Sequence, residues 1–413
     1  FLTESLEDLQ RSLRARDSEL LIVQGEPGAV LAELARGHRA REIWYQDEPG
    51  TEEAAELSHV AAALRVSTDE GAPLLRPYQG QSLYHVEDLP FAPADMPNVY
   101  TEFRKAVEKR SRVRDPLPPP ADGGHSSLGT SVGMPSVADI AGAPAPAPDP
   151  RAAIHFTGGE SAGTARLAYY LWESDALRRY RDTRNGLLGS DYSSKLSPWL
   201  ADGSLSARRI YAEVKRYERE RVKNDSTYWL GFELIWRDYF AFLARKYPSA
   251  IFRFEGPMQR RYPWTNDWDT FERWRQGTTG QDFIDANMRE IAATGYMSNR
   301  GRQNVASYLA RDLGVNWIMG AEWFESQLID YDPASNYGNW TYTVGVGTDP
   351  RRDRYFNPDR QAEKYDPKGR YRRHWLEPSL FDSGAGDAGA SDGGTADGGT
   401  ADGPGEYPAE DRR

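Results

Sequence analysis

Apolar and polar positions alternate over the first 114 residues in a way that predicts a succession of helices and strands. A first helix is predicted at the start of the chain, with one face formed by Leu2, Leu6, Leu9 and Leu13. The apolar runs LLIVQ (20–24) and EIWYQ (42–46) predict short buried strands, and each is followed by a helical pattern. This order favours a parallel, doubly wound sheet, that is, an α/β N-terminal domain at 1–114. Because the chain opens on a helix, we expect this domain to be truncated and its sheet to lack the strand that normally comes first.

The composition of the chain changes after residue 114. Residues 115–150 are rich in Pro, Ala and Gly and predict a linker. Residues 151–380 carry one helical pattern after another, including TYWLGFELIWRDYFAFLARKY and FIDANMREIAATG, and predict a mainly α C-terminal domain. Residues 381–413 repeat GGTAD and hold eight acidic residues against two Arg, which predicts a disordered acidic tail. A contribution to solubility is the expected role of this tail.

The composition excludes several kinds of chemistry. The chain has no Cys, so it has no disulfide, no thiolate metal ligand and no cysteine nucleophile. It has no apolar run of membrane-spanning length, and its start lacks the pattern of a signal peptide. We therefore expect a cytoplasmic protein that does not contact membranes. Its net charge of −11, with few Lys and many Arg, favours either a halophile or a GC-rich genome.

The stretch GYMSNRGRQNVASYLARDLG (295–314) combines two patterns. In its second half, Val305, Leu309 and Leu313 predict an amphipathic helix. Its first half carries six hydrogen-bonding side chains in seven positions: Ser298, Asn299, Arg300, Arg302, Gln303 and Asn304. Such a segment is either a solvated helix end or the wall of a polar site.

Three further segments carry candidate chemistry, and each has a structural alternative. The hydroxyls and N–H groups of SSKLSPWLADG (193–203) suit a phosphate, or else they cap a helix. Glu233 beside Trp236 suits a pocket for a flat polar ligand, although Glu233 is also spaced to pair with Arg237 on one helix face. Asp330 and Asp332 could bind a ligand or cap the next turn. No further acid or His lies at metal-ligand spacing, so no metal site is expected.

Together these segments resemble the photolyase/cryptochrome family, and more closely its cryptochrome DASH branch. The similarity extends from residue 1 to about residue 380. LYHVEDLPF (83–91) is similar to the N-terminal domain of DASH members. The other matching motifs lie in one register: FTGGESAGTARLAYYLW (156–172), SSKLSPWLADG (193–203), ELIWRDYF (233–240), TGYMSNRGRQNVASYL (294–309), QLIDYDPASNYGNWTY (327–342) and YFNPDRQAEKYDPKG (355–369).

The resemblance implies that the helical domain binds FAD in a folded conformation. The residues expected around the diphosphate and ribityl parts are Tyr180, Ser193, Ser194, Lys195, Leu196 and Ser197. Those expected on the flavin side are Arg237, Asn299 and Arg302. Asp330 would pair with Arg302, and Asp332 would hold polar cofactor atoms. Asn336 would face flavin N5, where an amide tunes the protonation of a flavin radical.

Three tryptophans match the electron-transfer chain of the family, namely Trp340, Trp317 and Trp264. A single Trp in a helical domain is more often part of the core. The electron-transfer interpretation is favoured here because the three occur in the register of the family, beside the flavin motifs.

The resemblance also implies a lesion pocket and a reaction. Glu233, Trp236 and Asn299 match the positions at which photolyases bind pyrimidine dimers. Gln303 and Tyr342 replace the Met and Trp of photolyases and are typical of DASH members. A more polar wall should hold a flipped-out dimer less tightly. Contacts with DNA phosphates are expected from Arg184, from Arg300 and from the basic segment 351–374.

We therefore expect a monomeric, photolyase-type lyase that acts on UV-damaged DNA, with single-stranded or looped DNA favoured. The alternatives are a blue-light signalling cryptochrome that repairs little and a flavoprotein that only binds DNA. The N-terminal domain resembles an antenna domain, which in DASH members usually holds methenyltetrahydrofolate. Glu48 matches an acidic position that contacts the pterin, although it could equally be a loop acid near a helix start.

Overall fold

The computed structural model, which describes residues 1–67, 71–120, 133–351 and 354–377, contains a small parallel sheet in its first part. Strands β1 (Glu42–Gln46) and β2 (Leu74–Tyr78) pair with Ile43 opposite Leu75. Three helices accompany them: α1 (Leu2–Arg14), α2 (Pro27–His38) and α3 (Thr51–Ser67). The predicted α/β character of this part is confirmed.

Helices α2 and α3 pack on each other and form a small apolar core of their own. Ala32 and Ala35 of α2 are buried against Val60 and Leu64 of α3. The start of α2 is fixed by Glu26, whose carboxylate accepts a hydrogen bond of 2.8 Å from the N–H of Ala29. Small Ala side chains let the two helix axes approach, so this pair supports the end of β1 from one side.

The strand predicted at LLIVQ (20–24) is wrong. These residues form neither a strand nor a helix, and Val23 is 48% exposed. The apolar run suited a buried strand, but a strand is stable only when a neighbouring strand accepts its hydrogen bonds. Among the described residues, β1 and β2 pair with each other and none pairs with 20–24.

The apolar face predicted for α1 is not its buried face. Leu2 and Leu9 are 61% and 45% exposed, whereas Asp8 is 5% exposed. The Asp8 carboxylate accepts hydrogen bonds from the N–H and the hydroxyl of Ser161, both at 2.9 Å. Tertiary hydrogen bonding to Ser161, at the start of a helix far along the chain (Glu160–Ala168), therefore decided how α1 is oriented.

The remainder of the described chain is mainly helical, which was predicted for residues 151–380 but not for the two helices that precede them. Its α-helices are α4 (Tyr100–Arg110), α5 (Val137–Ala141), α6 (Glu160–Ala168), α7 (Tyr180–Thr183), α8 (Ser197–Ala201), α9 (Ala207–Glu220), α10 (Asp225–Lys246), α11 (Trp268–Gln276), α12 (Asp282–Thr294), α13 (Asn299–Ser307), α14 (Trp317–Gln327), α15 (Pro333–Val344), α16 (Pro358–Tyr365) and α17 (Arg370–Leu376). Wider π turns extend α6 over Tyr169–Glu173 and α13 over Tyr308–Asp312. Short 3-10 turns occur at Val86–Asp88, Pro93–Asp95, Ala176–Arg179 and Ala250–Phe252.

Helix α10 lies at the centre of the helical domain. Most of its buried residues, such as Tyr239 and Phe242, belong to a core shared with α4, α6 and α9. Ala244, near its end, joins a second core built from α11 to α15. Residues of α10 can therefore face both cores and any cavity between them.

Polar contacts join the first part of the chain to α10. The buried Asp238 carboxylate accepts hydrogen bonds of 2.8 Å from the N–H groups of both Leu83 and Tyr84. Arg245 pairs with Asp47 at 2.7 Å, just after β1. Because Phe1–Leu376 form one compact unit, the boundaries predicted at 114 and 150 stay predictions. The acidic tail at 381–413 and residues 121–132 of the linker lie outside the described residues.

Candidate functional site

The loop before α8 presents a row of backbone N–H groups without acceptors. Within the described ranges, none of the N–H groups of Ser193 to Ser197 donates to a protein acceptor. Lys195 and Leu196 are nevertheless 2% and 3% exposed. Buried N–H groups are almost always paired, so this loop is suited to a ligand that brings several acceptors.

Lys195 lies at the centre of this loop and is itself unusual. Its φ is +54°, a left-handed backbone conformation that few non-glycine residues adopt. Its ammonium group has no hydrogen-bond partner and lies 3.4 Å from the centre of the Tyr192 ring. Burial lowers the pKa of this amine to about 7. A buried amine without an anion favours the neutral form, and a bound anion would favour the charged form.

Aromatic hydroxyls surround the same loop. Tyr180 is 7% exposed, and burial raises its pKa well above the usual value. The rings of Tyr180 and Tyr170 pack edge to face, with their centres 6.4 Å apart. The hydroxyls of Tyr170 and Tyr192 are buried without a partner. These unpaired donors add to the unpaired N–H groups of the loop.

Arg302 and Asp330 form an ion pair, as expected from the resemblance, in which the carboxylate is buried and 26% of the Arg302 side chain is accessible. One guanidinium nitrogen of Arg302 lies 2.9 and 2.8 Å from the two carboxylate oxygens of Asp330. Asp330 is held between α14 and α15, and only 2% of its side chain is exposed. Arg302 also donates to the carbonyl of Met297 at 3.0 Å, so its guanidinium is fixed from two directions.

The neighbouring predicted residues take different positions. Asp332 caps α15 by accepting a 2.6 Å hydrogen bond from the N–H of Ser335, the structural role that its spacing also allowed. Asn336, 8% exposed, donates to the carbonyl of Ala321 at 3.0 Å, which fixes its amide. Asn299 begins α13 and is exposed, without a partner in the described chain.

Glu233 pairs with a different arginine from the one its spacing on the helix allowed. It accepts a 2.6 Å hydrogen bond from Arg184, which comes before the loop that precedes α8. Arg237 instead donates to the carbonyls of Gln81 and Leu200, at 2.7 and 3.0 Å. The helix-face pair between Glu233 and Arg237 is therefore not formed, because tertiary partners are available to both side chains.

The Glu233 carboxyl is surrounded by protein and yet partly accessible. Burial raises its pKa, and the Arg184 guanidinium partly opposes that rise. At the same time, 28% of the Glu233 side chain is accessible. The carboxyl is therefore open to a ligand on one part of its surface.

Aromatic rings pack together one helical turn after Glu233. Trp236 stacks on Tyr100, with ring centres 3.5 Å apart and planes inclined by 8°. Its edge contact with Tyr342 has a centre-to-centre distance of 5.3 Å. Glu233 and Trp236 lie one turn apart on α10, so an acid and an indole share one helix face.

Arg300 and Gln303 contact each other on α13. Arg300 donates to the Gln303 side-chain oxygen at 3.0 Å and to that of Asn185 at 2.9 Å. Asn185 follows Arg184 directly, so this network adjoins the Glu233 pair. Arg300, predicted to contact DNA phosphates, and Gln303, predicted to line the lesion pocket, therefore belong to one hydrogen-bonded group.

Two of the three tryptophans are fully buried and the third is half-buried. Trp340 and Trp317 are 3% and 0% exposed, and Trp264 is half-buried. Trp317 donates to the carbonyl of Phe254 at 3.0 Å, and the Phe254 ring lies 5.5 Å from that of Trp264. The backbones next to the two tryptophans are also joined, since Asn316 donates to Thr265 at 2.8 Å.

Glu48 follows β1 and is held by two glutamines. The side-chain amides of Gln46 and Gln81 donate to one of its oxygens, at 2.9 and 2.7 Å. The backbone of the same Gln81 accepts from Arg237, so a short chain of hydrogen bonds runs from Glu48 to α10. Its second carboxylate oxygen makes no hydrogen bond to the described chain.

Several site residues escaped the sequence analysis. Tyr100, which stacks on Trp236, comes from a distant part of the chain and gives no local signal. Arg166 contacts the loop before α8 and lies inside the quoted motif FTGGESAGTARLAYYLW, where it could have been noticed. No cluster of metal-ligating side chains occurs in the part of the chain that the structure describes. Nor is any helix among those residues long and apolar enough to cross a membrane.

Comparisons with known proteins identify the family to which this chain is similar. The family model for the FAD binding domain of DNA photolyase matches residues 229–382, and that for DNA photolyase matches residues 1–121. The cryptochrome DASH of Gloeobacter violaceus is 50% identical over 379 residues, which cover 91% of this chain and 74% of that protein.

Two further relatives extend the comparison. The cryptochrome DASH of Natronomonas pharaonis is 49% identical over 376 residues, covering 91% of this chain and 78% of the relative. The crystal structure of a Synechocystis cryptochrome superposes with a TM-score of 0.82 at 46% identity. That similarity covers 91% of this chain and 77% of the crystallised one.

Proposed function

Since this chain belongs to the cryptochrome DASH branch of the photolyase/cryptochrome family, we propose that it repairs cyclobutane pyrimidine dimers under blue light. Its preferred substrate would be a dimer in single-stranded or looped DNA. FAD is the cofactor of the family's helical domain. Absorption of blue light and donation of an electron to the dimer are the chemistry that reduced FAD supplies when bound.

The chain's own residues fit FAD. The unpaired N–H groups of Ser193 to Ser197 and the buried Lys195 ammonium suit a diphosphate, which offers several acceptors and negative charge. We propose that Tyr180 lies beside this part of the cofactor. Arg302, fixed by Asp330, would present its guanidinium to the flavin, together with Arg237 and Asn299. Asp332 would reach the cofactor with the oxygen that does not cap α15, and Asn336 would orient its amide oxygen toward flavin N5.

The observation that carries the proposed reaction is the Glu233 carboxyl, which is partly accessible and lies one helical turn from Trp236. Because burial raises its pKa, this acid keeps a proton to a higher pH than an exposed Glu does. A protonated carboxyl can donate a hydrogen bond to the dimer as negative charge develops on it. We propose that Trp236 supports the dimer from one side.

The proposed preference for single strands rests on Gln303 and Tyr342. Both are more polar than the Met and Trp of the photolyase pattern, and Gln303 is hydrogen-bonded to Arg300. Flipping a dimer out of a duplex costs a few kcal/mol, which the pocket must offset by stacking and apolar contact. A single strand avoids most of that cost. Arg300 and the basic segment 351–374, of which 352–353 lie outside the described residues, would hold the DNA backbone.

The proposal is tested by illuminating the purified protein with dimer-containing single- and double-stranded oligonucleotides. We expect a flavin absorption spectrum and loss of dimers, faster in the single strand. Glu233→Ala should lower the repair yield and leave FAD bound, whereas Glu220→Ala, an exposed acid on α9, should change neither. Flavin photoreduction and salt-sensitive DNA binding without any loss of dimers would refute repair and favour a signalling or DNA-binding role.

We further propose that Glu48 contacts the pterin of a methenyltetrahydrofolate antenna through its second carboxylate oxygen. Gln46 and Gln81 hold the first oxygen, which orients the carboxylate. Adding this folate to the protein should produce an absorption band that Glu48→Gln weakens. If folate is bound equally by both proteins, Glu48 is only a loop acid.

A further inference from the structure

Arg166 holds the loop before α8 from behind. It lies on α6, and 9% of its side chain is exposed. Its guanidinium donates to three backbone carbonyls of the loop: Ser190 at 2.7 Å, Ser193 at 3.3 Å and Ser194 at 3.0 Å.

These contacts determine where the N–H groups of the loop point. In a trans peptide unit the C=O and the following N–H point in opposite directions. Because the carbonyls of Ser193 and Ser194 point toward Arg166, the N–H groups of Ser194 and Lys195 point away from it. Neither of these N–H groups has an acceptor in the described chain.

The guanidinium is itself held in place. It lies 5.4 Å from the ring centres of both Tyr169 and Tyr170, a distance at which a cation is attracted to an aromatic face. Asp191 lies 3.5 Å away and balances part of its charge. Arg166 therefore keeps its orientation without a ligand, and the loop is organised before a ligand binds.

We propose that Arg166 is a positioning residue for the diphosphate of the dinucleotide cofactor. It does not touch the cofactor but aims the N–H groups of Ser194 and Lys195 at the phosphate oxygens. This inference rests on the proposed placement of FAD at this loop. A planar guanidinium can reach carbonyls on several residues at once from separate nitrogens, whereas a lysine carries all its donors on one atom. Arg166→Lys therefore keeps the positive charge but cannot donate to all of these carbonyls at once.

The test measures FAD affinity and the state of the bound diphosphate in Arg166→Lys and Arg166→Gln. For both variants we expect the dissociation constant of FAD to rise about 10–100-fold, because contacts of this kind are worth roughly that factor. At saturating FAD, the phosphorus NMR resonances of the bound diphosphate should shift, and the visible flavin spectrum should not. The matched control is Arg178→Gln, an arginine with 54% of its side chain exposed, which should behave as the wild type.

Two outcomes would overturn the proposal. One is an unchanged dissociation constant in both variants. The other is weakened binding with unchanged phosphorus resonances and an altered flavin spectrum, which would mean a general loss of packing. Circular dichroism and the melting temperature establish that each variant is folded. Dimer repair by the wild type is measured independently, so failure here leaves the proposed reaction standing, and failure of repair leaves this inference standing.

Discussion

The indole of Trp340 packs directly against Gly320 of α14. A β-carbon at position 320 would overlap the Trp340 ring, so only glycine permits this contact. Gly320 lies one turn after Trp317 on the same helix, and residues three apart share a helix face. Trp340, which belongs to α15, therefore packs against the face of α14 that also carries Trp317.

We predict that Trp317 relays electrons to bound FAD. Trp317→Phe should greatly slow photoreduction of bound FAD, because Phe is too hard to oxidise to serve as a relay. The measurement is flavin absorbance during blue illumination with an external reductant. Trp274→Phe is the control, since Trp274 is buried and lies 6.3 Å from Trp340 but is outside the proposed chain. Equal slowing in both variants would mean that packing, not electron transfer, is affected.

The Glu233 carboxyl predicts a pH dependence of repair. Burial raises its pKa, so the protonated form persists above the usual range and is lost as pH rises through the raised value. Repair of a single-stranded dimer should fall with rising pH across that window. Glu233→Gln should flatten this profile, because an amide does not titrate. A profile unchanged by Glu233→Gln would assign the titration to another group.

The raised pKa of Glu233 also predicts how the stability of the folded protein changes with pH. Its folded-state pKa lies above the unfolded value, so the folded protein binds more protons and becomes less stable as pH rises between the two. Glu233→Gln should therefore raise the melting temperature slightly at pH 7 and leave it unchanged well below pH 4. Thermal unfolding in the absence of DNA measures both.

The Arg302–Asp330 pair predicts a large loss of stability on truncation. Asp330→Ala leaves the Arg302 guanidinium, 26% of whose side chain is accessible, without its carboxylate partner, which should cost about 1–3 kcal/mol of unfolding free energy. Urea denaturation of the wild type and variant provides the comparison. Glu272→Ala breaks the more exposed pair with Arg275 and should cost less than about 1 kcal/mol. Similar losses for the two variants would contradict the burial of the Asp330 carboxylate.

Lys195 predicts a stabilising substitution. Its folded-state pKa of about 7 lies below that of an unfolded lysine, so the charged amine opposes folding fully below pH 7 and progressively less above it. Lys195→Met should stabilise the flavin-free protein by about 1–3 kcal/mol at pH 6, and the gain should vanish near pH 10. FAD affinity should fall in the same variant. A gain that does not depend on pH would mean that apolar packing is its cause.

The pocket predicts a change in DNA preference. Gln303→Met with Tyr342→Trp makes the wall more apolar, so repair in duplex DNA should rise relative to repair in a single strand. The ratio of the two initial rates under equal illumination is the quantity to measure. Tyr355→Trp is the control for adding an indole elsewhere, within the basic segment. Tyr355 is exposed, and its hydroxyl donates a hydrogen bond to Asp312. An unchanged ratio would show that duplex discrimination lies elsewhere.

The sequence by itself determined the longer helices, strand β1 and the family, whereas β2 (Leu74–Tyr78) was not predicted. Helical periodicity is a local property, and α10 and α12 were predicted by it because their apolar residues repeat every three or four positions. The motifs around Ser193 to Ser197 and Asp330 carried the family resemblance, which the comparisons confirmed. The roles of the individual site residues stay predictions.

The tertiary structure decided which partner each polar group found. Local spacing allowed Glu233 to pair with Arg237, but Arg184 lies closer in space and Arg237 is drawn to the carbonyls of Gln81 and Leu200. LLIVQ has the composition of a strand, but a strand depends on hydrogen bonds to a neighbour that periodicity does not encode. The polar start of GYMSNRGRQNVASYL likewise became two surfaces, with Arg302 held by Asp330 and Gln303 held by Arg300. Hydrogen bonds and burial between distant segments are set by the packing of the whole chain, and so they are visible only once it has folded.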